Sequence, residues 1–137
     1  MRVIISWANA LRNGNVTAAA ALFKLPSALI NGSDANGGLS VIVIHNLAEA
    51  EAAQKTLPCG ARFISADQRG RFVNALFQLT GRVGPGGGKC TGGVGETVRT
   101  NFLIEDGQIV DWIRAPDDPG DNGSPPAQGA SGSGPVA

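Results

Sequence analysis

Apolar residues recur at helical spacing from the start of the chain. In "RVIISWANALRNG", Val3, Ile4, Trp7 and Leu11 fall at i, i+1, i+4 and i+8, on one helical face. Asn13-Gly14 is a stop signal, because glycine supplies the left-handed residue that follows a helix end. Asn15 is placed to cap a second helix, "VTAAAALFKL", rich in alanine and ended by Pro26. The period then changes. "SALIN" and "LSVIVIH" read as two short strands around the loop "GSDANGG". "NLAEAEAAQKTL" returns to helix, with Asn46 and Glu49 at capping-box spacing and Pro58 beyond its end.

The second half alternates. "ARFISADQRG" and "RFVNALFQLTG" read as paired strands, the latter with Val73, Ala75, Phe77 and Leu79 on one face. "ETVRTNFLIE" and "QIVDWIR" flank Asp106-Gly107, a two-residue hairpin signal. Simple hairpin register puts Val98, Thr100, Phe102 and Ile104 on one face with Ile109, Asp111 and Ile113. Arg99, Asn101, Leu103, Val110, Trp112 and Arg114 then share the other face. The first face is the more apolar and is assigned to the core. Helices followed by an antiparallel meander predict an α+β fold, with helices packed on one face of a curved, mostly antiparallel sheet. The globular domain is expected over 1–116. The stretch 117–137, rich in Pro, Gly and Ser, is expected to be a disordered tail.

Charge is balanced, with 11 basic and 11 acidic residues, which argues against a nucleic-acid footprint. No apolar run approaches the roughly 20 residues of a membrane-spanning helix. The apolar run Val3 to Ile5 is also shorter than the roughly 7–15 residue core of a signal peptide. The chain opens inside a helical pattern, which points to a missing upstream segment. Tyr is absent and His occurs once, so acid–base side chains are scarce.

The glycine-rich stretch "GPGGGKCTGGVG" has the look of a phosphate cradle and lacks its working parts. Val83 stands where a Walker A loop needs its first glycine, and Cys90 where it needs a hydroxyl. A strand follows instead of a helix N-terminus. Strand register offers another reading. With a turn near Arg69-Gly70, Cys59 falls roughly opposite Gly81, where the glycine stretch begins. Cys59 and Cys90 then reach the same end of the sheet, within the range of a disulfide. The alternative is a pair of buried, reduced thiols. Two Cys and His45 fall short of a four-ligand metal set, so neither metal nor cofactor is expected.

Two segments carry a family resemblance. "SWANALRNGNVTAAAALFKLPS", with Trp7, Gly14-Asn15 and Phe23, is similar to the opening of the nuclear transport factor 2-like superfamily. That superfamily includes polyketide-cyclase-like and ketosteroid-isomerase-like proteins. "NFLIEDGQIVDWIRAP" resembles its closing hairpin, and "LPCGARF…C" resembles an exported, actinobacterial-type branch of unknown function with a cysteine pair and a Pro/Gly-rich tail. The resemblance covers about residues 2–116 and implies a cone: a strongly bent sheet around N-terminal helices, with a pocket at the open end and frequent homodimers. It implies export, with the signal segment missing from this chain; the alternative is a cytoplasmic protein.

The fold does not settle activity. Asp111, among Phe102, Ile109 and Ile113, is a candidate general base, against a hydrated place at the rim. Trp7, Thr100 and Phe102 join Asp111 as candidate lining of a pocket for a small apolar ligand, against a plain core role for Trp7. Trp112 with Arg99 and Arg114 is a candidate stacking or dimer surface. His45 is expected to be structural or exposed. Isomerase-like relatives use a Tyr that this chain lacks, and the Asp-Arg-Asp set of epoxide-hydrolase-like relatives cannot be assembled around Asp111. The expected function is a non-catalytic module that binds a small apolar ligand or dimerises through its sheet face. The alternative is a small cyclase, isomerase or hydrolase with Asp111 as base.

Overall fold

Helix α1, Arg2–Arg12, buries the predicted face: Val3, Ile4, Trp7, Ala8 and Leu11. It opens a computed structural model that describes residues 2–33, 39–90 and 93–121. Gly14 follows with φ of 77°. A Cβ there would sit 2.7 Å from the Val83 carbonyl oxygen, so both backbone angle and space demand glycine. Asn15 then caps α2, Val16–Ala21, its side chain accepting from the Ala18 N–H at 3.0 Å.

α2 ends four residues earlier than its composition predicts. The chain turns into β1, Phe23–Ser33, and is captured by the last strand: the Ile109 N–H donates to Leu22 O at 2.9 Å, and Phe23 pairs with Ile109. Long-range pairing overrides helix propensity here. Pro26 lies between Phe23 and Ala28, where the ladder is irregular, a place that tolerates a missing N–H.

The remaining elements are β2 (Leu39–Ile44), α3 (Leu47–Lys55), β3 (Gly60–Arg69), β4 (Phe72–Thr80), β5 (Thr97–Glu105) and β6 (Gln108–Ala115). The sheet order is β2-β1-β6-β5-β4-β3. Every pairing is antiparallel except β1 with β6. The fold is thus α+β with a six-stranded, mostly antiparallel sheet. The helices cover one face, here called inner; α1 touches β3 and β6, and α3 touches β1 and β2.

The β3–β4 register matches expectation at the end that matters. Gly60 pairs with Thr80, leaving Cys59 beside Gly81, and Cys59 is disulfide-bonded to Cys90 with Cα atoms 4.7 Å apart. The glycine-rich loop is held, not slack. Arg82, 6% exposed, donates from Nε to Leu57 O at 2.8 Å and from its terminal nitrogens to Val83 O at 3.0 Å and Pro85 O at 2.8 Å. It also reaches Gln54 O at 3.4 Å, so one buried guanidinium ties the loop to the end of α3. Burial lowers its pKa.

The β5–β6 hairpin departs from simple register. Asp106 and Gly107 both have positive φ, 53° and 73°, the conformation of a tight type I′ turn. Ile104 pairs with Ile109, yet Phe102 pairs with Trp112 and Leu103 with Asp111. One extra residue, Val110, is inserted into β6, and this bulge flips the faces beyond it. Trp112, expected on the solvent side, is fully buried; Asp111, assigned by simple register to the core face, is half-buried on the outer one.

The expected tail boundary at 116 falls inside a described segment. Asp118 and Asp121 pack against Arg69 and Arg99 on the outer sheet face. Residues 122–137 lie outside the described residues.

Candidate functional site

The concave side of the sheet is built around Trp7. Its ring meets Phe77 at 5.7 Å and Phe102 at 5.6 Å, both edge-on, and Trp112 at 6.0 Å. All four rings are essentially inaccessible. Trp7 Nε1 donates to Gln54 Oε1 at 2.9 Å, giving its one polar atom a partner in the core. An interlocked aromatic cluster therefore occupies the middle of the inner face.

Thr100 and Phe102 are also fully buried, on adjacent inner positions of β5. Thr100 Oγ1, Trp112 Nε1 and Ser27 Oγ, from the three neighbouring strands β5, β6 and β1, are buried without a hydrogen-bond partner among the described residues. Asp111 is separated from this group by the Val110 bulge. It lies on the outer face, level with Leu103 of β5 and Ala28 of β1. The four candidate residues thus split into three that share the inner face and one that does not.

The clefts lined by described residues include two of moderate size. One, of 340 Å³, lies between the start of α1 and the β5–β6 turn, walled by Arg2, Val3, Ser6, Leu22, Ile104 and Gly107. The other, of 250 Å³, lies on the outer face among Arg69, Phe72, Asn74, Asn101, Asp117 and Asp118. Neither takes a wall from Trp7, Thr100, Phe102 or Asp111.

The outer face divides into two zones. Towards β4 it is polar. Arg99 donates to Asp121 at 2.7 Å and to Asn74 Oδ1 at 2.7 Å, and Asn74 donates to Asn101 Oδ1 at 2.8 Å. Arg69 binds Asp67 and Asp118, and these hydrogen bonds hold the Asp118 carboxyl below its usual range. Burial pushes the neighbouring Asp117 up. Sequence reading missed this network because, Arg69–Asp67 aside, the arginines and their partners are far apart in the chain. It also paired Arg99 with Trp112, which the bulge places on opposite faces.

Towards β2 the outer face is apolar. Val41 pairs with Ile30 and Ile30 with Ile113; Val43 pairs with Ala28. Val41 and Val43 are 55% and 54% exposed. The alternating apolar residues of "LSVIVIH" carried this signal, since Ile42 and Ile44 turn inward and leave the valines outside.

His45 sits at the end of this zone as a local structural residue. Its backbone N–H donates to Glu49 Oε1 at 2.7 Å and its Nδ1 lies 2.9 Å from the same atom. Asn46 caps α3 by accepting from the Glu49 N–H at 2.9 Å. The His45 contacts, the backbone one foremost, lower the Glu49 pKa.

This architecture is the nuclear transport factor 2-like fold. A protein of ketosteroid isomerase-like fold from Catenulispora acidiphila, solved in complex with trimethylamine, is similar at a TM-score of 0.60 and 13% identity, over 82% of each chain. A putative polyketide cyclase from Sinorhizobium meliloti is similar at 0.57 and 14% identity, over 83% of this chain and 94% of that one. A nuclear transport factor 2-like protein of unknown function from Cytophaga hutchinsonii gives 0.55 and 12% identity, over 82% and 84%. No protein-family profile and no curated protein matches the sequence. Among the described residues, no helix is long and apolar enough to cross a membrane.

Proposed function

We propose that this domain is a non-catalytic interaction module that dimerises through the β2 side of its outer sheet face. The observation that carries the reading is the exposed pair Val41 and Val43, continuous with Ile30 and Ile113, on a face whose β4 side carries a paired polar network. An exposed apolar patch with a polar border is the ordinary mark of an interaction surface. The interior supports the same choice, since the Trp7 cluster fills the middle of the inner face. The disulfide fits an oxidising compartment, and we place the domain outside the cytoplasm on that ground. Sedimentation analysis of the full chain tests the function: self-association is expected, and Val41→Asp with Val43→Asp should abolish it while leaving the fold intact.

A second reading, a small-ligand binder, has its own observation: the unpartnered Ser27, Thr100 and Trp112 donors on neighbouring inner strands. Such groups favour a polar atom brought in among them. The enzyme form of this reading loses its base, because Asp111 is on the other side of the sheet from these donors.

A further inference from the structure

The cleft between the start of α1 and the β5–β6 turn has a floor and a rim of different chemistry. The floor is apolar: Val3 is buried, and Leu22 and Ile104 are partly buried and packed against the core. Gly107 closes the far side without a side chain, and a Cβ there would meet nothing within 4 Å, so the space in front of the turn is open. At 340 Å³ the cleft falls within the range of small-ligand sites, about 300–1,000 Å³. Its walls come from α1, the end of α2 and the β5–β6 hairpin, so three separate segments of the fold fix its shape.

The rim is polar on the helix side only. Arg2 and Ser6 stand four residues apart on α1, neighbours on one helical face, and both are exposed along the cleft. Arg2 is the one charged residue in the walls, and it has no hydrogen-bond or ion-pair partner among the described residues. The acids of the turn are engaged elsewhere: Lys24 Nζ lies 2.8 Å from Asp106 and 3.7 Å from Glu105. From this arrangement we infer that the cleft binds a small carboxylate with an apolar body, of the class of a medium-chain fatty acid. The body lies on Val3, Leu22 and Ile104, and the carboxylate accepts from the Arg2 guanidinium and the Ser6 hydroxyl. A guanidinium matches a carboxylate in charge and in the geometry of its donors. An organic cation would meet Arg2 with like charge. The site shares no residue with the outer-face valines or with the buried donors Ser27, Thr100 and Trp112, so it stands independently of both readings above.

Octanoate titrated into the full chain and followed by amide NMR tests this, with octanol and octylammonium as probes of equal length. The expected result is saturable shifts at Val3, Ser6, Leu22, Ile104 and Gly107 with octanoate, about tenfold weaker binding of octanol, and no binding of octylammonium. Arg2→Gln, a change at an exposed helical position, should weaken octanoate about tenfold and leave octanol unchanged. Octanol binding as tightly as octanoate overturns the inference. So does octanoate that shifts Thr100 and Trp112 instead of the cleft, or that shows no saturable binding at millimolar concentration.

Discussion

Arg99 of β5 and Asp121, 22 residues apart in sequence, meet on the outer sheet face with Nε 2.7 Å from the carboxylate. Both side chains are nearly buried, at 11% and 8% exposure. The same carboxylate accepts the Asp118 N–H at 2.7 Å, so one group fixes both the arginine and the turn that delivers it. Asp121→Ala should cost about 2 kcal/mol, within the range of a hydrogen bond to a charged group. A chain ending after Asp121 should unfold like the full protein, whereas one ending after Pro116 should lose at least as much as the point variant, because it also loses the Arg69–Asp118 contact. Denaturant melts of the three chains decide it; equal stability for both truncations would contradict the contact.

Acid should act on this segment through opposing groups. Asp118 has its pKa lowered from 3.8 by Arg69, so its contribution is present above that value and lost as pH falls through the folded-state pKa. Asp117 has its pKa raised from 3.8 by burial, so its contribution is present below that value and lost as pH rises. Asp118→Asn should flatten the acid limb of the stability curve. Asp117→Asn should raise stability at neutral pH and steepen the acid limb. Thermal melts across the acid range would show the two variants diverging from wild type in opposite senses.

Cys59–Cys90 closes a loop with a sequence separation of 31. Chain entropy alone gives about 3.7 kcal/mol for that closure. Reduction, or Cys59→Ser with Cys90→Ser, should lower stability by that order and free the glycine-rich loop first. Non-reduced peptide mapping checks the bond, and calorimetry with and without reductant checks its effect.

Trp7→Phe keeps a ring in the aromatic cluster and removes the donor to Gln54. The buried Gln54 carbonyl loses its partner, at about 1–3 kcal/mol. Trp7→Ala should cost about 3–5 kcal/mol through the cavity it leaves. Chemical denaturation of both variants should preserve that order; an equal loss would mean that the hydrogen bond, not the packing, holds the helix.

Asp111→Asn should change stability by less than about 0.5 kcal/mol, as for an ordinary surface substitution. Asp111 is half-buried on the outer face, with the bulge at Val110 turning it away from Thr100 and Trp112. A large stabilisation on neutralisation would instead mark a carboxylate held in an apolar setting.

The elements were legible wherever the signal is local. The apolar spacing of Val3, Ile4, Trp7 and Leu11, the caps Asn15 and Asn46, and the Asp106-Gly107 turn each act within a few residues, so the chain alone specified them. The Cys59–Cys90 pairing was legible as well, because it follows from one hairpin whose register near Gly60 is regular. Two features were decided only by tertiary contact. β1 took Phe23 from a helix-forming run because a strand 86 residues later in the chain was there to pair with it. Val110 became a bulge because the β5–β6 ladder must place Ile109 beside Leu22 and Phe23 and Trp112 against Trp7 at once. A strand of period two cannot present both to the same face, and one unpaired residue resolves the conflict. That residue moved Asp111 out of the candidate site and Trp112 into the core.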